Sequence, residues 1–303
     1  MQPGHRAGFV ALVGRPNVGK STLVNALLGQ VVAAVSPRPQ TTRRRQLGIL
    51  TLPQAQIVWI DTPGIHKPHH KLGAFMNEEA LETLSDADLL LFMVDASGDP
   101  TLEDELVAER LASLEDADVI LVLNKADLVP LAERAAVLAR YHALLPAAEP
   151  RWLSAANGEG RDELLAAVIA RLPESPPFYD TEQITDLYER EIAADLVRAA
   201  ALDLLYDEVP HAIAVRVDEY KERADQGAFI AATLLVEKDS HKGIVIGKEG
   251  AMLKQIGIQA RQAIEAMNGR KVFLELRVKV NKNWRNDPAA LERLGFTRPS
   301  GEG

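Results

Sequence analysis

Gly14, Gly19, Lys20 and Ser21 stand in the stretch GRPNVGKST, directly behind the apolar run FVALV. Two glycines with four residues between them, then a lysine and a hydroxyl, are the residue types that hold a polyphosphate. Glycines let successive backbone N–H groups turn toward the β-phosphate, Lys20 reaches the β- and γ-phosphates, and the Ser21 hydroxyl can ligate Mg²⁺. Val18 and Thr22 complete the cradle.

A second group reads a base. In NKAD (residues 124–127) the Asp127 carboxylate can accept from both N1–H and the 2-amino group of guanine. Adenine offers neither donor, so a carboxylate facing it would be left unpaired. Asn124 suits the N7 side, the Lys125 stem can lie along the base, and Ser154, Ala155 and Ala156 can offer a backbone N–H to O6. The expected ligand is GTP or GDP.

Between these motifs lie candidates for sensing the γ-phosphate. Asp61 in DTPG is placed to hold Mg²⁺, and the Gly64 amide can meet the γ-phosphate. Thr41 or Thr42, with Thr42 favoured, can complete the metal shell. Segments tied down only by γ-phosphate and Mg²⁺ are released on hydrolysis, which makes a switch. Ile65 stands where many small GTPases carry a water-orienting glutamine, so slow hydrolysis is expected. Asn17 offers another device, because its amide oxygen can ligate K⁺ beside the phosphates.

The elements that must position these residues are legible as alternation. FVALVG, QIVWID, LLLFMVD, VILVLNK and RWLSA are apolar runs of the kind buried on both faces of a parallel sheet, with amphipathic stretches between them. RRRQLGIL adds an edge strand. The expectation for residues 1–173 is a doubly wound α/β sheet with its ligand at the strands' carboxyl ends.

Prolines in PESPPFYDT mark a linker at 174–181, and residues 182–303 read as a second domain. A helix is expected from about Ile184 to Tyr206, then two strands, two helices joined through IGKEG, and a last strand: α-β-β-α-α-β. Charge changes sign along this domain. Residues 174–236 hold five Lys and Arg against fourteen Asp and Glu, whereas residues 237–286 hold eleven against five. The net charge of −9 hides that basic block.

A Gly247-x-x-Gly250 turn joining two helices lets a nucleic-acid backbone approach closely, as in KH domains, which clamp about four single-stranded nucleotides. Lys242, Lys248 and Lys254 are expected at phosphates, with Ile244 and Ile246 as the floor of a base groove. Glu249 inside the turn is an unhelpful charge. Lys282, Trp284 and Arg285 form a basic and aromatic cluster suited to phosphate contact and stacking, although Trp284 suits packing equally well. His66, His69 and His70 read as solvent-exposed loop residues, not metal ligands.

The absence of cysteine excludes disulfides and thiolate metal sites, and no apolar run approaches the ~20 residues that cross a bilayer. The expectation is a monomeric cytoplasmic protein.

Taken together, GRPNVGKSTLVNAL, SPRPQTTRRR, DTPGIHKP followed by KLGAFMN, NKAD, the G-x-x-G domain and LRVKVNKNW resemble the Era family of bacterial GTPases along the whole chain. The resemblance implies a Ras-like GTPase domain and a type II KH domain that binds near the 3′ end of 16S ribosomal RNA. It also implies a role in 30S subunit maturation and some peripheral membrane association. The alternative is an RNA-binding assembly factor in which GTP is a structural ligand and hydrolysis is incidental.

Overall fold

The computed structural model of the protein describes every residue except 1–3, 37, 39–40, 66–67, 69, 224–226 and 297–303. The chain divides into two compact units. One comprises Met1–Val32, Thr42–Lys67 and Met76–Asp186; the other comprises Ala33–Thr41, Pro68–Phe75 and Leu187–Gly303.

In the first unit β1 (Arg6–Val13), β3 (Ala55–Asp61), β4 (Leu89–Asp95), β5 (Val119–Asn124) and β6 (Glu149–Trp152) run parallel, with β2 (Gln46–Leu52) antiparallel at the edge. The sheet order is β2-β3-β1-β4-β5-β6. Residues of β1 alternate between two cores: Ala11 and Val13 join Ile60, Phe92 and Leu121 on one face, while Val10 and Leu12 join Leu23, Trp59 and Val122 on the other. Burial on both faces is why β1, β3, β4 and β5 are continuous apolar runs, whereas β6, at the other edge of the sheet, is only half-buried. Helices α1 (Lys20–Leu28), α3 (Leu102–Ala112), α4 (Arg134–His142) and α5 (Arg161–Arg171) complete this unit, and α2 (Lys71–Asp86) begins in the residues grouped with the other. The chain reverses direction across the sheet around β1, so the loop after β1 opens at the topological switch point.

The proline-rich stretch stays on this unit. Phe178 stacks on Phe9 with centroids 5.2 Å apart, and Gln56 Oε1 accepts from the amides of Phe178 and Tyr179 at 2.7 and 3.0 Å.

The second unit carries α6 (Glu189–Leu204), β7 (Ala214–Glu222), β8 (Ala228–Val236), α7 (Asp239–Ile246), α8 (Ala251–Asn268), β9 (Val272–Val280) and α9 (Pro288–Arg293). Its sheet runs β7-β8-β9, antiparallel then parallel, which gives the expected α-β-β-α-α-β order. Helix α6 starts at Glu189, not near Ile184, because the preceding residues are held extended along β2. Ile184 O accepts from Ile49 N at 2.8 Å, and Thr185 bridges Gly48. A Glu191 carboxylate accepting from Tyr188 N at 3.1 Å then starts the helix.

Described residues of the Ala33–Thr41 segment contact α6 and the residues just after it in this second unit. Ser36 Oγ donates to Asp203 Oδ1 at 2.5 Å, Arg38 lies over the Tyr206 ring, and Arg198 donates to Thr41 O. At the start of α2, Lys71 N donates to Asn286 Oδ1 at 3.2 Å, and Phe75 meets Phe296 edge-on. His70 Nδ1 accepts from Gly73 N, whereas His66 and His69 lie outside the described residues.

Candidate nucleotide and nucleic-acid sites

Helix α1 begins at Lys20, immediately after Gly19 at φ +102°, so its N-terminal amides face the strand ends where phosphates would sit. A Cβ at Gly19 would fall 2.2 Å from Asn124 Nδ2, and one at Gly64 would fall 2.6 Å from Pro16 N. Both positions therefore exclude any side chain. Asn17 takes the left-handed conformation at φ +65°, which curls the loop that leads into α1.

Lys20 is buried and donates to the carbonyls of Gly14 at 3.1 Å and Arg15 at 3.0 Å. Burial lowers its pKa to about 8, against the attraction of Asp61. A cation held in a low-dielectric pocket is ready to exchange two carbonyls for phosphate oxygens.

Ser21, Thr42 and Asp61 converge. Ser21 Oγ donates to Asp61 Oδ2 at 2.5 Å, Thr42 Oγ1 donates to the same oxygen at 3.2 Å, and the two hydroxyls are 2.9 Å apart. Asp61 Oδ1 is buried with no hydrogen-bond partner. Burial pushes the Asp61 carboxyl up, partly offset by Lys20 and the hydroxyls. A buried carboxylate with an unused oxygen and two adjacent hydroxyls fits a hard divalent cation such as Mg²⁺. Thr41 is turned elsewhere, its Oγ1 donating to Arg38 O at 2.8 Å.

The base-reading residues meet at the ends of β5 and β6. Buried Asn124 donates from Nδ2 to Val18 O at 2.6 Å and accepts at Oδ1 from Ala155 N at 2.9 Å, so it fastens the phosphate loop to the 154–156 loop. Ser154 N donates to Glu159 O at 2.8 Å. Of the three candidate amides, those of Ser154 and Ala155 are thus engaged. Asp127 is exposed, close behind Lys125, which takes the left-handed conformation at φ +63°. Ile65 is buried in the sheet core and its amide donates to Gly14 O at 3.3 Å; its side chain does not reach outward.

In the second unit Gly247 and Gly250 take φ of +73° and +80°, with Lys248 and Glu249 between them. Gly247 must lack a side chain, because a Cβ would lie 2.8 Å from Met252 N. Beside the turn runs a groove of about 460 Å³ lined by Gly250, Leu253, Lys254, Ile258, Leu274 and Leu276 with Gly257 and Arg261. The residues lining this groove come from α8 and β9; Ile244 and Ile246 are not among them, Ile244 being half exposed on α7 beside the buried Val245.

For Trp284 the structure takes the packing alternative. Its ring is fully buried and Nε1 donates to Ala212 O at 2.9 Å, which leaves no face for a base. Arg285 is paired with Glu237 at 2.5 Å. Lys242 lies on α7, and Lys282 lies just past β9.

Comparison with known proteins finds two matches along the chain. A family model described as "50S ribosome-binding GTPase" matches residues 9–125, and a KH domain model matches 208–285. GTPase Era of Geotalea uraniireducens is 46% identical over 96% of this chain and 98% of its own length. That of Geobacter metallireducens is 47% identical with the same coverage. The chain belongs to the GTPase Era family.

Two solved Era structures superpose closely. Era in complex with MgGDPNP and nucleotides 1506–1542 of 16S ribosomal RNA gives a TM-score of 0.92 at 40% identity, covering 97% of this chain and all of that one. A variant of Aquifex aeolicus Era bound to GDP·AlF4⁻ gives 0.91 at 40% identity with the same coverage. As an Era GTPase, the chain carries a catalytic P-loop unit and an RNA-binding KH unit. Sequence reading missed Leu253, Ile258, Leu274 and Leu276. Leu274 and Leu276 carried a signal at period two on β9, whereas Leu253 and Ile258, five residues apart on α8, do not form a simple helical repeat by themselves. Nothing in the sequence marked Asp95 as the partner of Lys125, or Arg15 as the link between Asp95 and Asp104.

Proposed function

We propose that this protein is a GTP-hydrolysing switch that binds the 3′-end region of 16S ribosomal RNA and acts in 30S subunit maturation. The carrying observation is the convergence of Ser21, Thr42 and Asp61, because a nucleotide with a purely structural role needs no switch-segment hydroxyl at its metal site. Thr42 directly follows residues 33–41, which group with the KH unit. Ordering Thr42 around Mg²⁺ and γ-phosphate therefore pulls on a segment anchored by Asp203 and Arg198.

In this reading Ser21 and Thr42 ligate Mg²⁺ and Asp61 holds it through water. The ion neutralises charge on the β- and γ-phosphate oxygens. Lys20 donates to the same phosphates, the 14–19 amides cradle them, and the Gly64 amide meets the γ-phosphate. Asp127 reads guanine, with the Ala156 amide at O6. Asn17 holds K⁺ beside the phosphates and so substitutes for the missing glutamine. On the RNA side Lys248 and Lys254 neutralise phosphates, and bases enter the groove over Leu253, Ile258, Leu274 and Leu276. The domains run 1–173 and 182–303 with the linker between, and the protein works as a cytoplasmic monomer with peripheral membrane contact. No described helix is long and apolar enough to span a membrane.

The test is RNA affinity at fixed salt with GDP and with a non-hydrolysable GTP analogue, using a 16S 3′-end oligonucleotide and a scrambled control. Preference for the native oligonucleotide in the GTP-analogue state supports the switch. Equal affinity in both states removes it. Hydrolysis measured in K⁺ and in Na⁺ tests Asn17, and equal rates would sink that assignment.

A further inference from the structure

Arg15 does not confine its guanidinium to the phosphate loop. Its Nε donates to Asp104 Oδ2 at 3.2 Å, and its Nη2 lies 3.7 Å from Asp95 Oδ2. Lys125 Nζ donates to that same Asp95 oxygen at 2.6 Å. Three elements thus meet: the loop after β1, the end of β4, and the base-reading loop after β5, with α3 behind them.

Both carboxylates are fixed independently of the cations. Asp104 is fully buried because it closes the capping box of α3, accepting from Thr101 N at 2.9 Å and Thr101 Oγ1 at 2.8 Å. Asp95 Oδ1 accepts from Ser97 N at 3.1 Å and Ser97 Oγ at 2.5 Å, and the Asp95 carbonyl accepts from Tyr141 OH at 2.7 Å. Burial pushes the Asp95 carboxyl up, but hydrogen bonds from Lys125 and Ser97 outweigh it and keep it below the ordinary carboxylate range. The anchor is therefore charged and rigid at neutral pH.

We propose that Asp95 is a positioning residue for guanine-nucleotide binding, with Arg15 and Asp104 as its supports. It holds the Lys125 ammonium so that the aliphatic stem is already laid where the base is to stack. Through Arg15 the same carboxylate couples the phosphate loop to the base loop. A long flexible side chain left unanchored loses its rotamer freedom only when the ligand arrives, and that ordering weakens binding. Asp95 removes that loss in advance while touching neither base nor phosphate. The inference rests on reading NKAD as the guanine loop.

The experiment uses the full chain with Mg²⁺ and a fluorescent GDP, following dissociation by stopped flow together with melting temperature, KM and kcat. Asp95→Ala should release GDP about tenfold faster, the effect of one pre-immobilised long side chain, and should raise KM far more than it lowers kcat. Asp95→Asn should fall between, since an amide oxygen still accepts from Lys125. In a Lys125→Ala background the Asp95→Ala effect should vanish. A folded Asp95→Ala with dissociation within about twofold of wild type overturns the proposal. So does an undiminished effect in the Lys125→Ala background, which would make Asp95 merely structural. Failure of the underlying reading shows separately, as an Asp127→Asn variant with unchanged preference for guanine over xanthine.

Discussion

Asn124 and Val18 are 106 residues apart in sequence, yet Asn124 Nδ2 donates to Val18 O at 2.6 Å inside the phosphate loop. Its Oδ1 takes the Ala155 amide, so one side chain braces the three loops that make the nucleotide site. Asn124→Ala strands a buried carbonyl and a buried amide, each worth about 1–3 kcal/mol when unpaired. GDP affinity should fall about tenfold or more with a lowered melting temperature, both measurable on the purified variant by fluorescence titration and thermal melting.

Lys20 predicts a pH dependence. Its pKa in the free protein is lowered to about 8, below the unfolded value of 10.5, so the folded state has lost the proton that the unfolded state keeps between those limits. Folding stability from this group therefore rises with pH from about 8 toward 10.5. Nucleotide binding needs the charged form and runs the other way. GDP affinity should be flat below about pH 8 and about tenfold weaker at about pH 9. Lys20→Arg should lose that dependence, and isothermal titration across this range checks the sign.

Asp127→Asn converts an acceptor for two guanine donors into a group with one of each kind. XDP should then bind better than GDP, with the preference changed by at least about a hundredfold relative to wild type. Competition against fluorescent GDP and fluorescent XDP reads it directly.

The two tryptophan-cluster readings separate on stability. Trp284→Ala should lower stability by about 3–5 kcal/mol, as for other fully buried aromatics. Lys254→Glu, on the groove, should leave the melting temperature nearly unchanged while cutting RNA affinity and its salt slope. A Trp284→Phe variant that folds should keep RNA affinity within about twofold of wild type, because the residue contributes packing and not contact.

Asp203 accepts from both Ser36 and Gln259 Nε2, the latter at 2.9 Å on α8, the helix that carries the groove. Asp203→Ala should flatten the difference in RNA affinity between GDP and GTP-analogue states without altering GDP affinity. Binding isotherms in both states test this, and an unchanged difference would place the coupling elsewhere.

Local signals carried most of the site. A glycine-rich turn between strand and helix, NKAD after a strand, and G-x-x-G between two helices each need only neighbours in sequence, so GxxxxGKS and Gly247–Gly250 were legible before any fold was known. Parallel strands buried on both faces announced themselves as unbroken apolar runs. Tertiary structure decided what depends on distant partners. Trp284 is identical in sequence whether it stacks on RNA or fills a core, and only the Ala212 carbonyl beside its indole settles it. The start of α6 depended on β2 holding Ile184 and Thr185 extended, a pairing that no local propensity encodes. Arg15, Asp95 and Asp104 are ordinary charges along the chain; they become a brace for Lys125 only because the carboxyl ends of β1, β4 and β5 lie side by side.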